Sequence, residues 1–422
     1  MKDNYFFDNA ATSFPKPESV YRFMDMFARE AAVNPGRSGY ALSIESEQMV
    51  HQTRRMLADF FNSSAGPERV IFSQNITDSI NLVLQSLLAD GGHVITSVVE
   101  HNSVLRPIAH ASRDTDTDVS YIRVDDDGYI DVDAMARSFR ADTRVVIVNH
   151  GSNVTGAVQD LPAISALCKS NGVPLLLDTA QTAGVLPIDL QATPVDLLAF
   201  TGHKGLFGPT GIGGLVVGAD VDLHPQRVGG TGVDSADPYQ PETYPARLEA
   251  GTLGIHAISG LHAAQRWFAA IGRSLDTNNV RGDDLIDPTG DEITSSASTD
   301  HNRLCALAQT HIGRRELGHI DKLATSLRDH PRIRLLGHTQ PQLPRVATLS
   351  LLMTHLPSSE IGERLDADYH ICVRTGLHCA PKIHQHLDTL DSDGAVRLSP
   401  GYFTTDEDVS HVANALLKLA SE

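Results

Sequence analysis

Short apolar runs alternate with amphipathic stretches through the first half of the chain. Compact apolar runs predict strands at residues 69–73, 93–99, 144–149, 173–177, 197–200 and 213–217. Between them, apolar positions recur at helical spacing, as in 78–88 and in 160–171, which ends at Gly172. Repeated strand-then-helix units predict an α/β fold with a mainly parallel sheet flanked by helices. Such sheets bind ligands beyond the carboxyl ends of their strands.

The pattern changes after Gly260. Residues 261–271 are predicted to be helical, but 274–302 form a polar stretch with almost no apolar periodicity, which predicts a long loop or insertion. Helical spacing resumes at Arg303, and the chain ends in a predicted helix at 406–419. We therefore expect two domains. The large one comprises residues 16–260, and a smaller α/β domain is built from 1–15 and 261–422.

Composition and charge narrow the possible functions. The 422 residues include 34 Lys and Arg against 52 Asp and Glu, a formal net charge of −18. Such a chain is not expected to bind nucleic acid or an anionic membrane in general, because both are polyanions. No apolar run approaches the ~18 residues of a membrane span. The first residues show no secretory signal pattern.

The cysteines add a further constraint. Their spacing matches neither a zinc site nor a dense disulfide framework, so we expect no metal site; they are Cys168, Cys305, Cys372 and Cys379. A reducing cytoplasm is the expected compartment, and it leaves room for a reactive thiol.

A lysine in a glycine-rich loop is the first candidate for chemistry. Lys204 follows the apolar run that ends at Phe200, in Phe-Thr-Gly-His-Lys-Gly. It is either a surface lysine in a flexible loop or a buried amine of lowered pKa that forms a Schiff base. Asp178 directly follows the apolar residues 175–177 and, taken alone, is equally well a helix N-cap. Together the two residues suit pyridoxal phosphate, whose ring nitrogen requires an acidic partner.

These motifs resemble those of a known family. The segments Thr201–Lys204 and Asp178–Gln181 and the opening Asp8-Asn-Ala-Ala-Thr12 are similar to class V aminotransferases of pyridoxal-phosphate fold type I. Val373–Pro381 and Val396–Phe403 narrow the resemblance to Suf-type (group II) cysteine desulfurases and a less characterised branch beside them. The resemblance implies a mainly parallel, seven-stranded sheet in the large domain. It spans nearly the whole chain except the polar stretch.

The resemblance also implies pyridoxal 5'-phosphate as the cofactor. Lys204 would hold it covalently and shuttle the α-proton of the substrate. His101 would stack on the ring and assist proton transfer, although a lone histidine after a strand is otherwise more often structural. Asp178 would pair with the ring nitrogen, and Gln181 would hydrogen-bond the phenolic oxygen.

The cofactor's phosphate would be held by hydroxyl and imidazole groups. Thr77 begins a predicted helix, where free N–H groups favour an anion, and Thr201 and His203 would add hydrogen bonds. Thr252 would reach the phosphate of a neighbouring subunit, which implies a homodimer. Ile76 departs from the pattern, since related enzymes often have a second hydroxyl there.

For the substrate carboxylate, the resemblance implies Asn153 and Arg397. A guanidinium clamps a carboxylate through two hydrogen bonds, although Arg397 alone could equally form a surface ion pair. Arg374 and the turn Asn34-Pro-Gly-Arg37 are expected to line the entrance.

Cys379 decides the predicted reaction. The other three cysteines lie in apolar or helical patterns and fit structural roles. Cys379 lies in a polar loop with Arg374, His378 and His384 nearby in sequence, and neighbouring cations favour the thiolate. The implied activity is that of a cysteine desulfurase. It converts L-cysteine to L-alanine and leaves a persulfide on Cys379 for an acceptor protein or a small thiol.

The sequence leaves three alternatives open. The chain could be a selenocysteine lyase acting on L-selenocysteine, or another class V enzyme such as an aminotransferase, epimerase or lyase of a biosynthetic pathway. It could also be a non-catalytic partner that has lost activity, although the joint presence of Lys204, Asp178, His101 and Arg397 argues against this. The polar stretch 274–302 is either an acceptor-docking element or solvent-exposed filler.

Overall fold

The structure, a computed structural model, describes residues 4–36, 39–276, 298–340 and 342–422. Its strands within these ranges are β1 (Tyr5–Phe6), β2 (Val70–Ser73), β3 (Gly92–Ser97), β4 (Thr117–Ile122), β5 (Thr143–Asn149), β6 (Leu175–Asp178), β7 (Leu197–Thr201), β8 (Gly213–Val217), β9 (Ile333–Leu336), β10 (Leu349–Met353), β11 (Ile371–Cys372), β12 (Arg374–Gly376) and β13 (Ala395–Leu398). Its helices are α1 (Glu18–Glu30), α2 (Ala41–Phe60), α3 (Ile76–Leu87), α4 (Asn102–Asp114), α5 (Val132–Arg137), α6 (Leu161–Asn171), α7 (Ile255–Asp276), α8 (Ser298–Leu327), α9 (Ser358–Tyr369), α10 (Pro381–His386) and α11 (Asp406–Ser421).

The predicted parallel sheet is confirmed. Among the described residues it has seven strands in the order β2-β8-β7-β6-β5-β3-β4. Only β8 runs antiparallel to its neighbours, β2 and β7. Every residue of β6, β7 and β8 is buried, as expected of strands covered by helices on both faces.

Two apolar cores cover the faces of this sheet. On one face, Ile80 and Val83 of α3 and Val104 and Ile108 of α4 pack against alternate residues of the strands. On the other face, helices α1, α2, α6 and α7 contribute to a larger core that includes Trp267. The layers are therefore helix, sheet and helix, and they form the α/β architecture that the sequence pattern predicts.

A smaller α/β unit follows in the chain. Its four-stranded antiparallel sheet has the order β12-β13-β10-β9, and β1 pairs in parallel with β11. Helices α9 and α11 and the second half of α8 cover it, with Leu365, Leu416 and Leu323 in its own core. The N-terminal strand thus joins the C-terminal part of the chain. The boundary at residue 260 stays a prediction; α7 and Cys305 of α8 pack in the core of the large sheet.

Some predicted boundaries are wrong. The polar stretch was predicted as loop from 274 to 302, but α7 continues to Asp276 and α8 begins at Ser298. Arg303 pairs with Asp276 at 2.7 Å, and both side chains are exposed. The two helices therefore contact each other here through polar residues, which leave no apolar periodicity in the sequence. The rest of the stretch lies outside the described residues. Tyr369 is the last residue of α9, which ends at the left-handed His370.

Candidate active site

Four neighbouring parallel strands deliver the predicted site residues to one edge of the large sheet. His101 follows β3, Asn153 follows β5, Asp178 ends β6, and Lys204 follows β7. The carboxyl ends of parallel strands share an edge, which is where open α/β sheets bind ligands. The sheet therefore brings together residues that are far apart in sequence.

Lys204 lies in a low-dielectric, charged environment. Burial lowers the pKa of Lys204 to about 8; Arg397 and Arg374 lower it further, whereas Asp178 and Asp8 oppose this shift. Asp178 is also buried, and burial raises the pKa of its carboxyl, opposed by the backbone N–H of Ala180 and by the charge of Lys204. The amine and the carboxylate are thus close enough to stabilise each other's charged form. The alternative of an exposed loop lysine is wrong.

The N-terminal segment holds the peptide bond that precedes Lys204. The carbonyl oxygen of His203 accepts hydrogen bonds from the backbone N–H of Ser13 at 3.0 Å, Thr12 Oγ1 at 3.0 Å and Lys16 Nζ at 3.2 Å. Lys16 also donates to Ser13, and burial lowers its pKa to about 8. The sequence analysis did not identify this role of Lys16. The segment orients Lys204 through its backbone.

His101 caps the N-terminus of α4. Its Nδ1 accepts the backbone N–H of Ser103 at 3.0 Å. Burial lowers the pKa of His101 to about 4, with Lys204 and Arg374 acting in the same direction. The ring is therefore neutral at pH 7, and its proton is on Nε2 because Nδ1 is an acceptor. Nδ1 therefore has a structural role as the cap of α4. His101 also lines the cavity described below.

Several predicted phosphate ligands have unused hydrogen-bonding capacity. Thr201 Oγ1 and His203 Nδ1 are buried and have no partner among the described residues. Thr77 lies in the first turn of α3, whose N–H groups point out of the helix end. Gly213 of β8 lies directly against the start of α3. A Cβ at this position would lie 2.7 Å from the backbone of Asn75, the residue that caps α3, so only glycine fits there.

Thr252 is placed differently. It is exposed, in the segment before α7, and does not line the cavity with Thr77 and His101. Within the described chain it is thus not brought to the other predicted phosphate ligands. The segment before it is held in part by an ion pair between Glu249 and Arg54 at 2.6 Å, whose side chains are 9% and 6% exposed respectively.

Cys379 lies in a tight turn beside these residues. His378 and Cys379 both have left-handed backbone, with φ of 50° and 56°. The carbonyl of His378 accepts Asn153 Nδ2 at 2.7 Å, and the carbonyl of Cys379 accepts the backbone N–H of Asn102 at 2.7 Å. These two bonds anchor the turn to the loops after β5 and β3.

The histidines near Cys379 do not supply positive charge. Burial lowers the pKa of His378 to about 2 and that of His384 to about 4, so both rings are neutral at pH 7. His378 stacks on His384, which hydrogen-bonds Thr389 at 2.7 Å. The sequence-based expectation of cationic histidines is therefore wrong, and burial is the physical reason.

Arginine carries the charge instead. Arg397 of β13 lies opposite Arg374 of β12 and interacts electrostatically with Cys379. Its Nη2 pairs with Asp8 Oδ1 at 2.6 Å, and Nη1 donates to the backbone carbonyl of Asn153 at 3.3 Å. Arg397 is therefore buried, not a surface residue, and its ion pair is internal. Arg374 is exposed, as expected at an entrance, whereas Arg37 lies outside the described residues.

Two cavities flank this cluster. An open one of about 720 Å³ is lined by Thr77, His101 and Cys379 and extends between α3 and α4. A small one of about 40 Å³, behind Lys204, is lined by Gln181, whose amide donates to the carbonyl of Ala10 at 3.1 Å, and by Glu316.

Two buried carboxyl groups were missed by the sequence analysis. Burial raises the pKa of Glu100 and that of Glu316 to about 8. Glu100 Oε1 accepts Ser97 Oγ at 2.7 Å and the backbone N–H of Asn149 at 3.0 Å. No motif distinguishes these two acids from surface acids in the sequence.

The other cysteines have structural positions. Burial raises the pKa of Cys168 to about 12 and that of Cys305 well above its ordinary value, so neither is a ready nucleophile. Cys372 lies in β11, and burial raises its pKa as well. In the part of the chain that the structure describes, no helix is long and apolar enough to cross a membrane.

The site fits pyridoxal phosphate. Thr201 and His203 offer unpaired polar atoms and α3 offers its N-terminus to a phosphate, while Asp178 and Lys204 lie together where a ring nitrogen and a carbonyl group would need them. A cationic ring nitrogen would offset the burial of the Asp178 carboxylate.

Comparisons with known proteins agree with this geometry. The family model "Aminotransferase class-V" matches residues 5–282 and 302–412. A probable cysteine desulfurase of Methanothermobacter thermautotrophicus is 30% identical over 100% of this chain and 96% of its own length. One from Aeropyrum pernix is 32% identical over 97% of this chain and 93% of its own length.

Solved structures show the same fold. The apo cysteine desulfurase from Thermococcus onnurineus superposes with a TM-score of 0.84 at 25% identity, covering 99% of this chain and 95% of that one. The cysteine desulfurase CsdA from Escherichia coli superposes with a TM-score of 0.79 at 25% identity and the same coverage. The fold-type-I architecture expected from the motifs is thus confirmed.

Proposed function

The chain belongs to the class V aminotransferase family, and on this premise we propose that it is a pyridoxal-phosphate-dependent cysteine desulfurase, which converts L-cysteine to L-alanine. One observation carries the proposal: Lys204 interacts electrostatically with the buried side chains of Asp178 and Arg397, and Arg397 in turn interacts with Cys379. An amine, an acid for the ring nitrogen, a carboxylate receptor and a thiol are the groups this reaction needs.

The cofactor would be held from three sides. Lys204 would attach it covalently, Asp178 would meet its ring nitrogen, and Thr77, Thr201 and His203 would bind its phosphate. When bound, pyridoxal phosphate supplies an electron-withdrawing ring that stabilises negative charge at the substrate Cα. The neutral ring of His101, locked by its Nδ1 bond to Ser103, offers a fixed face beside it.

Lys204 is suited to move the α-proton. Its pKa of about 8, far below that of a free lysine, leaves about a tenth of the amine unprotonated at pH 7, so Nζ can accept a proton and return it. The bonds from Ser13, Thr12 and Lys16 to the carbonyl of His203 keep the backbone before Lys204 in place.

Sulfur transfer uses the thiolate of Cys379. It attacks the sulfur of L-cysteine, an S–S bond forms, and the Cβ–S bond of the substrate breaks. The electron pair of that bond stays with Cβ, which takes up a proton, so the products are L-alanine and a persulfide on Cys379. No external oxidant is required. The persulfide would then pass to an acceptor protein or a small thiol.

A second copy of the chain would complete the site. Thr252 is exposed and separate from Thr77 and Thr201, and the cavity beside them is open. We propose a homodimer in which Thr252 of one subunit reaches the phosphate bound by the other. The four cysteines are all free thiols, which suits the reducing cytoplasm that we propose as its location.

The proposal is tested by mass spectrometry of the loaded enzyme after addition of L-cysteine. The wild type and Cys372→Ser should gain the mass of one sulfur atom on the peptide that contains Cys379 and release alanine, whereas Cys379→Ser should do neither. Lys204→Ala should lose the visible absorbance of the bound cofactor, with Lys169→Ala as the control. Alanine release by Cys379→Ser at the wild-type rate would refute the persulfide step. Release from L-selenocysteine alone would instead support a selenocysteine lyase.

A further inference from the structure

Asp8 forms a buried ion pair at the end of the N-terminal strand. Its Oδ1 lies 2.6 Å from Arg397 Nη2, and the two side chains are 21% and 2% exposed. The position of Asp8 is fixed by the backbone: it forms a parallel bridge with Ser399, and the N–H of Asn9 donates to the carbonyl of Ser399 at 3.1 Å. The carboxylate is thus held against the guanidinium by strand pairing on both sides.

The nitrogen atoms of the Arg397 guanidinium differ in whether they have a hydrogen-bond acceptor. Nη2 donates to Asp8, and Nη1 donates to the backbone carbonyl of Asn153 at 3.3 Å. Nε is buried and has no partner among the described residues. A guanidinium presents five N–H donors in a rigid plane. Two corners of this plane are therefore held by the protein, and Nε is a buried donor without an acceptor among the described residues.

Asp8 also balances charge. Arg397 is surrounded by cations, because Arg374 and Lys204 both act on the same cluster. Burial lowers the pKa of Arg397, and Asp8 is the first of the groups that oppose this shift. Without that carboxylate, the guanidinium would be a buried cation beside two others, and it would lose the bond that fixes its plane.

We propose that Asp8 is a positioning residue for the substrate carboxylate. It fixes the plane of the Arg397 guanidinium for the substrate, and the carboxylate of the amino acid binds beside Asp8 instead of displacing it. This inference rests on the proposed function only in taking an amino acid as the ligand. The sequence motif around Asp8 assigned it no such role.

The test compares ligands with and without a carboxylate. In the loaded enzyme, KM for L-cysteine and for L-cysteine methyl ester is measured for the wild type, Asp8→Ala and Asp8→Asn. Asp8→Ala should raise KM for L-cysteine about tenfold or more, with a smaller change in kcat, because one charge-assisted contact is lost indirectly. Asp8→Asn should lie between, since its side-chain oxygen still accepts Nη2. KM for the ester should be unchanged.

Controls separate this role from general damage. Asp118→Asn makes the same chemical change in an exposed pair with Arg140 and should leave both KM values unchanged. A lower KM for L-cysteine in Asp8→Ala would overturn the proposal and make Asp8 a competitor of the substrate. Equal increases for acid and ester would overturn it as well.

A binding measurement keeps the inference separate from the proposed function. Titration of the cofactor absorbance with L-alanine and its methyl ester needs no turnover. If the wild type releases no alanine from L-cysteine, the proposed function fails. The Asp8 inference is then tested by whether Asp8→Ala weakens the binding of L-alanine more than that of its methyl ester. If Asp8→Ala does not fold, Asp8→Asn is measured in its place.

Discussion

Replacement of Asn153 by alanine should slow sulfur transfer to Cys379 more than it weakens the cofactor site. Asn153 Nδ2 donates to the carbonyl of His378 at 2.7 Å, and this is one of the bonds that hold the turn carrying Cys379. The others are the backbone bonds from Asn102 to Cys379 at 2.7 Å and from Ala380 to Leu377 at 2.8 Å. The alanine variant removes the first bond and leaves the other two.

The magnitude follows from the balance in this turn. Two non-glycine residues in left-handed conformation cost about 1–2 kcal/mol each. The three anchoring bonds contribute about 1 kcal/mol each. These opposing contributions are nearly equal, so loss of one bond, with the His378 carbonyl left unpaired, costs about 1–3 kcal/mol. The population of the competent turn should fall about 5- to 150-fold.

The assay is single-turnover persulfide formation at saturating L-cysteine, followed by mass spectrometry of the peptide that contains Cys379. Its rate should fall by the same factor in Asn153→Ala, while the visible absorbance of the cofactor is retained. Glycine takes up a left-handed φ without this cost. The double variant Asn153→Ala/His378→Gly should therefore recover about fivefold, the equivalent of roughly 1 kcal/mol.

Asn153 is also proposed to contact the substrate carboxylate, which makes the outcome decisive. If the variant raises KM for L-cysteine but forms the persulfide at the wild-type rate under saturation, Asn153 does not hold the turn. An absence of recovery in the double variant would refute the role assigned to the strained backbone.

Two further predictions concern stability. The pKa of Glu100 is raised by burial from 4.5 to about 8 in the folded protein, so its contribution to stability is complete below about pH 4.5 and is lost as the pH rises through about 8. Glu100→Gln mimics the protonated acid and should raise the melting temperature at pH 9 while leaving it unchanged at pH 4; an equal shift at both values would contradict this explanation. Glu249 pairs with Arg54, and their side chains are 9% and 6% exposed respectively. Glu249→Gln breaks this ion pair and should lower the free energy of unfolding in urea by about 3–5 kcal/mol. Asp118→Asn, in an exposed pair, should lower it by less than about 1 kcal/mol, and equal losses would show that burial is not the cause.

Local pattern was sufficient for much of the fold. The buried strands β5 to β8 are continuous apolar runs, and the end of α6 at Gly172 is a left-handed residue that glycine adopts without cost. Lys204 and Asp178 were identifiable because Lys204 follows such a strand and Asp178 ends one. The polar helix ends near Asp276 and Arg303 could not be identified, because these two residues pair in solvent and leave no apolar periodicity in the sequence.

By itself, the sequence determined the α/β class, the carboxyl edge of the sheet as the site, and the residue types of a pyridoxal-phosphate enzyme. These follow from periodicity and from short motifs, which depend on neighbours along the chain.

Only the tertiary structure decided protonation and partners. His378 was expected to be a cation but is neutral, because burial and the charge of Arg397, which lies outside the local motif, disfavour its protonated form. Arg397 is paired internally with Asp8, almost the whole chain away, because β1 joins the C-terminal unit. Charge state and ion pairing are set by burial and by distance in space, and neither is encoded in local spacing.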